Sequence, residues 1–450
     1  MKIIIIGAGE VGRHLCDILS EDNHDVTVIE TDEKIGTEVD EQFNVRVLSG
    51  NGSSAHVLQN AGVQKCQLFL AMTSDDGTNI LSSSIAKAMG AEVTVARIHD
   101  RTYNESEILN YQKHFGIDHL LNPEALTAVE LAKAIRHPGR VAVEYFARGK
   151  IEVQQLALNA RSKLVGRPLK DLRLDPGIRI GFVYSEDRQE VANAETILRE
   201  GDMVTVFGSA EILDQTRRLF RPELDNQRVT IVLYGGGDTA ISLVRLLSHP
   251  RFRIRILEPD PHRCEQLAEL FPQVTIIQGN ATSLRLLEEE QVGSADYFVA
   301  CTKNDEDNIM TCIQASKLGA KHCLLLINRA DYLQVIDRLK ETLGLELVVS
   351  PRLATANQVK RYANRKPYFV LANLPGESGQ ILEIRVQKKS SVVGMKLRDI
   401  KWAGPCVVAA LLRGHEVKVP GAEDEVCFGD RLVLIASDEH AKEAVRLLAP

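Results

Sequence analysis

Short runs of aliphatic and β-branched residues alternate with stretches of helical periodicity through the first quarter of the chain. The runs are IIII at 3–6, VTVI at 26–29, VRVL at 45–48, LFLA at 68–71 and VTVA at 93–96. Continuous apolar runs of this kind are typical of strands buried on both faces of a parallel sheet. After the first run, Val11, Leu15, Ile18 and Leu19 follow helical spacing. Strands that alternate with helices predict βαβ units and a doubly wound α/β fold.

The same pattern is repeated later in the chain. Gly7 and Gly235 lie 228 positions apart, and so do Glu30 and Glu258. The segments LFLAMTSDDGTNIL and YFVACTKNDEDNIM correspond, as do VGRPLKDLRL and VGMKLRDIKW and, near the end of each copy, REGDMVTVFGS and CFGDRLVLIAS. Offsets that persist over most of a chain indicate a tandem duplication.

Each copy therefore contains a larger domain followed by a smaller one. The sequence predicts Rossmann-like, doubly wound parallel-sheet domains at 1–121 and 228–350. Short strands broken by Gly and Pro predict small α+β domains at 140–222 and 366–450, the first closed by a helix at 209–220. Polar segments with Pro or Gly breaks predict linkers near 136–140, 221–228 and 362–368.

Composition narrows the class of protein. The net charge of −7 argues against a nucleic-acid binder, which normally carries a basic stripe. No apolar run approaches the roughly eighteen residues that a membrane-spanning helix needs, so neither secretion nor membrane insertion is predicted. The eight cysteines form no C-x-x-C pair and the histidines show no ligand spacing, which predicts reduced thiols and no metal site.

The turn after the first strand has the spacing of a dinucleotide-binding motif, with Gly7, Gly9 and Gly12 as G-x-G-x-x-G. The first glycine permits a tight turn, the second leaves space for a pyrophosphate, and the third allows close packing of helix on strand. The helix N-terminus offers free N–H groups to phosphates. Because the motif follows a strand and opens an amphipathic helix, the sequence predicts a nucleotide site here.

Polar residues follow the other strands of the first copy. Glu30 is placed to accept hydrogen bonds from the ribose hydroxyls, and its charge favours NAD(H) over NADP(H), although ATP or ADP would also satisfy it. Asn51 is placed to meet the adenine, and Thr73 ends the fourth strand. Arg97 ends the fifth strand, where it would clamp a phosphate or form a surface salt bridge; both interpretations remain open.

The second copy keeps part of this pattern. Its turn is Gly235-Gly236-Gly237-Asp238-Thr239-Ala240, a G-x-G-x-x-A form, and Glu258 and Asn280 are retained. Asp238 is less favourable for an anion, and Leu326 stands where the first copy has Arg97. We expect a second site of weaker or different nucleotide preference, the alternative being a structural remnant.

No catalytic constellation accompanies the two turns. The chain has no G-x-S-x-G elbow and no G-x-x-x-x-G-K-[ST] loop, and nothing converges on the candidate bases His99 and His114. The sequence therefore predicts a protein that is not an enzyme. The competing hypothesis is an NAD-dependent oxidoreductase with an unrecognised substrate site, which would need an acid or base beside the nicotinamide.

The arrangement closely resembles the TrkA family of potassium-uptake regulatory subunits, a tandem form of the RCK/KTN domains, over essentially the whole chain. The matching pieces include IIIIGAGEVG, VIETD, SGNGS and MTSDDGTNI in the first copy and GGGDTA, LEPD, QGNA and INRADY in the second. The resemblance implies one nucleotide site in each copy. Carried over by position, the first comprises Gly7, Gly9, Glu10, Val11, Gly12, Glu30, Asn51, Thr73 and Arg97, and the second comprises Gly235, Gly237, Glu258, Asn280 and Thr302.

The resemblance also implies a function and partners. Family members bind NAD(H) and ATP or ADP, assemble as homo-oligomeric rings (dimer or tetramer), and gate a membrane potassium transporter of the TrkH or TrkG type. They lie in the cytoplasm, peripheral to the inner face of the membrane. Binding that favours one ring shape would then control transport. A soluble nucleotide sensor with no membrane partner is the remaining alternative.

Overall fold

The computed structural model divides the chain into two compact units, Met1–Ala132 with Val229–Asn364, and Lys133–Arg228 with Arg365–Pro450. No helix in the part that the structure describes is long and apolar enough to cross a membrane. The described residues are 1–104, 108–136, 144–146, 151–175, 177–185, 188–209, 212–213, 219–220, 228–363, 367–373, 379–402, 404, 406–414 and 416–450.

The first parallel sheet has six strands in the order β3-β2-β1-β4-β5-β6. Every pairing in it is parallel, and the order reverses between β1 and β4. Such a reversal opens a crevice at the carboxyl ends of the strands. Its elements are β1 (Lys2–Ile6), α1 (Glu10–Glu21), β2 (Asp25–Glu30), α2 (Glu33–Gln42), β3 (Arg46–Ser49), α3 (Ala55–Asn60), β4 (Leu68–Ala71), α4 (Asp76–Ala88), β5 (Val93–Arg97), α5 (Tyr111–His114), β6 (His119–Leu121) and α6 (Pro123–Arg136).

A small antiparallel sheet follows, with five strands in the order β10-β9-β11-β8-β7. Its strands are β7 (Glu144–Phe146), β8 (Ile151–Ala157), β9 (Arg179–Ser185), β10 (Arg188–Val191) and β11 (Met203–Gly208). Most of the helix predicted at 209–220 lies outside the described residues, as do 137–140 and 221–227 of the predicted linkers.

The second parallel sheet repeats the first, in the order β14-β13-β12-β15-β16-β17. Its elements are β12 (Val229–Tyr234), α7 (Asp238–Leu246), β13 (Phe252–Glu258), α8 (Pro261–Leu270), β14 (Thr275–Gln278), α9 (Leu284–Glu289), β15 (Tyr297–Ala300), α10 (Asp305–Leu318), β16 (His322–Leu326), α11 (Ala330–Leu339), β17 (Leu347–Val349) and α12 (Pro351–Ala363).

The last segment forms a second antiparallel sheet, in the order β18-β19-β22-β20-β21. Phe182 and Phe207 of the first small sheet share a buried cluster with Ile381 and Ile435 of this one. The predicted fold class, two doubly wound parallel sheets each followed by a small α+β domain, is confirmed. The elements are β18 (Tyr368–Asn373), β19 (Gln380–Arg385), β20 (Cys406–Arg413), β21 (Glu416–Lys418), β22 (Arg431–Ala436) and α13 (Asp438–Leu448).

The isoleucines of β1 show why the first run is continuous. Ile3 and Ile5 pack with Leu15 of α1, whereas Ile4 and Ile6 pack with Phe69 on the opposite face of the sheet. Because successive side chains of a strand alternate between faces, a strand that is covered on both sides needs apolar residues at every position.

Helix α12 belongs to the second copy but packs on the first. Ala356, Val359 and Ala363 lie in the buried cluster that contains Val11 and Leu15 of α1. Tyr362 stacks on His119 of β6, with ring centroids 4.2 Å apart. Sequence analysis did not predict this helix, and two residues of the linker predicted at 362–368 are its last turn; 364–366 lie outside the described residues.

A buried asparagine joins the ends of β4 and β5 in the first copy. Asn79 is fully buried. Its Nδ2 donates to the carbonyl oxygens of Thr73 (3.0 Å) and Arg97 (2.9 Å), and its Oδ1 accepts from the backbone N–H and the hydroxyl of Thr73. Asn308 makes the same four bonds to Thr302 and Leu326 in the second copy. The Asn79 side chain therefore links the carboxyl end of β4 to that of β5, the strand that ends at Arg97.

Replacing Asn79 should destabilise the carboxyl ends of β4 and β5. N79A leaves partly buried backbone groups of Thr73 and Arg97 without these partners, so we expect the free energy of unfolding to fall by about 2–3 kcal/mol. Hydrogen exchange measured by mass spectrometry should show faster exchange in peptides that span β4 and β5. N60A, at an exposed position ending α3, is the control and should exchange like the wild type. Unchanged protection in N79A would contradict this role.

Candidate functional site

The turn between β1 and α1 has the geometry that its three glycines predict. Gly7 has a φ of +88°, and a Cβ there would lie 3.0 Å from the Thr73 methyl group. A Cβ on Gly12 would lie 2.0 Å from the Gly7 carbonyl oxygen, so only glycine allows α1 to pack this closely. A Cβ on Gly9 would meet nothing within 4 Å. The open space at Gly9 is where a phosphate group would fit against the helix N-terminus.

Glu30 at the end of β2 contacts this turn directly. Its Oε2 accepts from the Ala8 N–H at 2.6 Å, and its Oε1 accepts from the N–H groups of Thr31 and Asp32 at 2.7 and 3.0 Å. Burial opposes ionisation of Glu30, but these hydrogen bonds outweigh it and lower the pKa of the carboxyl. Glu30 therefore carries a negative charge at neutral pH, beside the position predicted for the ribose.

The remaining predicted residues of the first copy lie at the same edge. Asn51 follows β3, where its Oδ1 accepts from the Ser53 N–H, and Thr73 packs under Gly7. Arg97 is the last residue of β5. Because the strands are parallel, their carboxyl ends and these side chains share one crevice. The side chain of Val11 is buried in the core, so Val11 offers the crevice only its backbone.

Arg97 is held in a partly desolvated position. Its Nε is buried and has no hydrogen-bond partner among the described residues. Burial lowers the pKa of Arg97, while the nearby carboxylates of Glu124, Asp76 and Glu10 oppose that shift. An arginine remains protonated under such a shift, so a fixed positive charge lies at the end of β5.

Two arginines outside the predicted set also lie at this turn. Arg352 of α12 pairs with Glu10, its Nη2 2.9 Å from the Glu10 Oε2. Arg13 donates from Nε to the Ala8 carbonyl oxygen at 3.1 Å. Sequence analysis predicted neither α12 nor its contact with the first copy, and it therefore missed Arg352.

The second turn reproduces the backbone of the first. Gly235 has a φ of +96°, a Cβ there would lie 2.9 Å from the Thr302 methyl group, and a Cβ on Gly237 would again meet nothing within 4 Å. Glu258 Oε2 accepts from the Gly236 N–H at 2.6 Å. The predicted residues Gly235, Gly237, Glu258 and Thr302 therefore come together as their counterparts do.

The surroundings of the second turn are different. Asn280 Oδ1 accepts from the Tyr234 hydroxyl at 2.9 Å as well as from Thr282, so its oxygen is engaged. Arg263 of α8 donates to the Gly236 carbonyl oxygen at 2.8 Å and lies 3.7 Å from Asp238. Leu326 ends β16 and brings no charge. Tyr234 and Arg263 were not predicted, since neither belongs to a recognised motif.

The candidate bases and ligands do not form a reaction centre. His99 Nδ1 lies 3.1 Å from Glu124 Oε1, and the two side chains form an ion pair if the ring is protonated. Within the described ranges, no group of three or more His, Cys, Asp or Glu side chains is placed to hold a metal ion. The crevices offer backbone N–H groups, carboxylates and guanidinium groups, the kinds of group that contact phosphates and ribose hydroxyls.

Comparison with protein families matches both copies. The TrkA-N domain model matches residues 3–123 and 231–351, and the TrkA-C domain model matches residues 153–221 and 381–449. Among solved structures, the GsuK channel bound to NAD is similar with a TM-score of 0.59 and 17% identity, over all of this chain and 79% of that one. The GsuK structure bound to ADP is similar with a TM-score of 0.52 and 14% identity, over 81% and 69%. These likenesses show the fold.

Curated relatives match along nearly their full length. The Trk system potassium uptake protein TrkA homolog 1 of Methanosarcina mazei is 31% identical over 98% of this chain and 99% of its own. The Trk system potassium uptake protein TrkA of Halomonas elongata is 30% identical over 98% and 96%. These relatives, together with the TrkA-N and TrkA-C matches, confirm the prediction that the chain is not an enzyme. The chain belongs to the TrkA family of Trk system potassium uptake proteins.

Proposed function

We propose that this protein is a nucleotide-binding regulatory subunit of a membrane potassium transporter. The observation that carries the proposal is the repeated crevice, in which an open glycine at a helix N-terminus faces a buried or half-buried carboxylate from the next strand. The family supports potassium uptake as the process, and the NAD-bound and ADP-bound channels of the same fold support the ligand class.

The ligands of the first copy are NAD(H) or ATP and ADP. Gly9, Glu10 and Val11 present backbone N–H groups to the phosphates, Glu30 accepts from the ribose hydroxyls, and Asn51 meets the adenine. Thr73 and Arg97 bound the far end of the crevice. The second copy, with Gly235, Gly237, Glu258, Asn280 and Thr302, binds more weakly because Asp238 adds negative charge beside the turn and Leu326 replaces the cation.

Regulation follows from occupancy of these crevices. The subunit forms a homo-oligomeric ring on the cytoplasmic face of a TrkH- or TrkG-type transporter, and the ligand favours one ring shape over another. The ligand can transmit no more free energy than the difference between its binding free energies for the two shapes. Co-purification with a potassium-transport membrane protein tests the partner. Absence of any potassium-transport membrane protein from the co-purified material would instead support a soluble sensor.

A carboxylate in the phosphate position should abolish binding. G9D points a negative group into the open space at Gly9, so we expect it to eliminate the tighter binding event in titration calorimetry of the full chain with NADH, ADP and ATP. G237D is the matched variant and should remove only the weaker event. Because neither Cβ meets a neighbour, circular dichroism of both variants should match the wild type. Wild-type binding by both variants would refute the assigned sites.

The charge of Glu30 should set the choice of coenzyme. We expect the wild type to bind NADH at least about 10-fold more tightly than NADPH, because the 2′-phosphate would lie against an ionised carboxylate. E30Q keeps one acceptor oxygen and removes the charge, so it should narrow this ratio toward one. E33Q, an exposed neighbour in the first turn of α2, is the control and should keep the wild-type ratio. An E30Q ratio equal to that of the wild type would exclude Glu30 as the selecting group.

A further inference from the structure

The crevice of the first copy contains a cation from the second copy. Helix α12 begins at Pro351, and its apolar face packs on α1 through Ala356 and Val359. This packing places Arg352, in the first turn of α12, beside Glu10 in the first turn of α1. The Arg352 side chain is only 15% exposed, whereas that of Glu10 is 68% exposed. The Arg352 side chain is thus largely buried, whereas the carboxylate that meets it is exposed to solvent.

Two arginine side chains at this point are incompletely hydrogen-bonded. The Nε atoms of both Arg97 and Arg352 are buried and without hydrogen-bond partners in the described part of the chain. Arg352 also lies at a helix N-terminus, where the helix dipole disfavours a cation. Glu10 is the carboxylate that contacts Arg352, and it also acts on Arg97 through space.

The other carboxylates near Arg97, Asp76 and Glu124, each have a partner elsewhere, although Glu124 Oε2 is buried without one within the residues that the structure describes. Asp76 accepts from the backbone N–H groups of His99 and Asp100 at 2.8–3.0 Å. Glu124 Oε1 lies 3.1 Å from His99 Nδ1. The Arg352 guanidinium and the first turns of α1 and α12 therefore meet at one exposed acceptor, Glu10, with the charge of Arg97 acting through space. A phosphate group with several oxygens would satisfy such an arrangement.

We propose that Arg352 is a ligand-binding residue of the first copy, which exchanges Glu10 for the terminal phosphate of an adenosine di- or triphosphate. The inference rests on the proposed nucleotide site. A terminal phosphate carries more charge and more free oxygens than the bridging pyrophosphate of NAD, and a planar guanidinium binds such a group bidentately. Arg352 thus favours ADP and ATP over NAD, and the bound phosphate ties the second copy's helix to the first copy's turn.

The two copies differ at this position. Glu124 occupies the place on α6 that corresponds to Arg352 on α12, 228 residues earlier. The corresponding position thus carries the opposite charge, and the contribution of Arg352 is specific to the first copy.

The test is titration calorimetry of the full chain with ATP, ADP and NAD. R352Q should weaken ATP binding to the first site by at least about 10-fold, with a smaller loss for NAD, because it removes charge-assisted hydrogen bonds to the terminal phosphate. K360Q is the matched control. Lys360 is on the same helix, and its Nζ lies 4.0 Å from Oδ2 of Asp22 at the C-terminal end of α1, away from the glycine turn. It should bind all three ligands like the wild type.

A second variant keeps the inference testable if R352Q does not fold. E10Q alters an exposed side chain and removes the competing carboxylate, so it should bind ATP more tightly than the wild type. ATP binding equal to the wild type in a folded R352Q, or in E10Q where R352Q does not fold, would overturn the assignment of Arg352 and leave the proposed function standing. A wild-type chain that binds neither ATP nor NAD would overturn the proposed function together with this assignment.

Discussion

The architecture of both crevices depends on one short hydrogen bond between a strand-end carboxylate and the backbone of the glycine turn. Glu30 accepts from Ala8 and Glu258 accepts from Gly236, each at 2.6 Å. A turn with a left-handed first glycine leaves the next N–H without a partner in the sheet, and a buried N–H without a partner is costly. The carboxylate satisfies it and also fixes the turn against the neighbouring strand. The helix N-terminus is thereby held open at the second glycine.

That constraint explains why so much of the site could be predicted from the sequence. Glycine spacing, continuous apolar runs and an acid after the second run are local signals, because each follows from the backbone and side-chain needs of a parallel sheet. The offset of 228 residues extends the prediction to the second copy without new information. Arg97 was located for the same reason, since the end of a parallel strand is known once the run is known.

The contacts that the sequence did not predict are those between elements distant in the chain. Residues 351–363 form a helix whose small apolar face indicates burial, but the pattern does not name its partner, and its last turn was interpreted as a linker. Nothing in the sequence therefore indicated that Arg352 would contact Glu10 at the first glycine turn. The hydrogen bond from the Tyr234 hydroxyl to Asn280 was missed because a tyrosine in a strand is ordinarily explained by packing alone.

The contact of α12 from the second copy with α1 of the first makes the duplicated chain different from two separate copies. In the second turn Arg263 comes from the same copy and lies near Asp238, so that charge is balanced locally. In the first turn the balancing cation is Arg352, so its environment depends on the position of the other copy's helix. A ligand that competes for Arg352 must therefore change the free energy of the contact between copies, and by linkage that contact must change the affinity for the ligand equally. Because both copies are covalently joined, this asymmetry is present in every molecule.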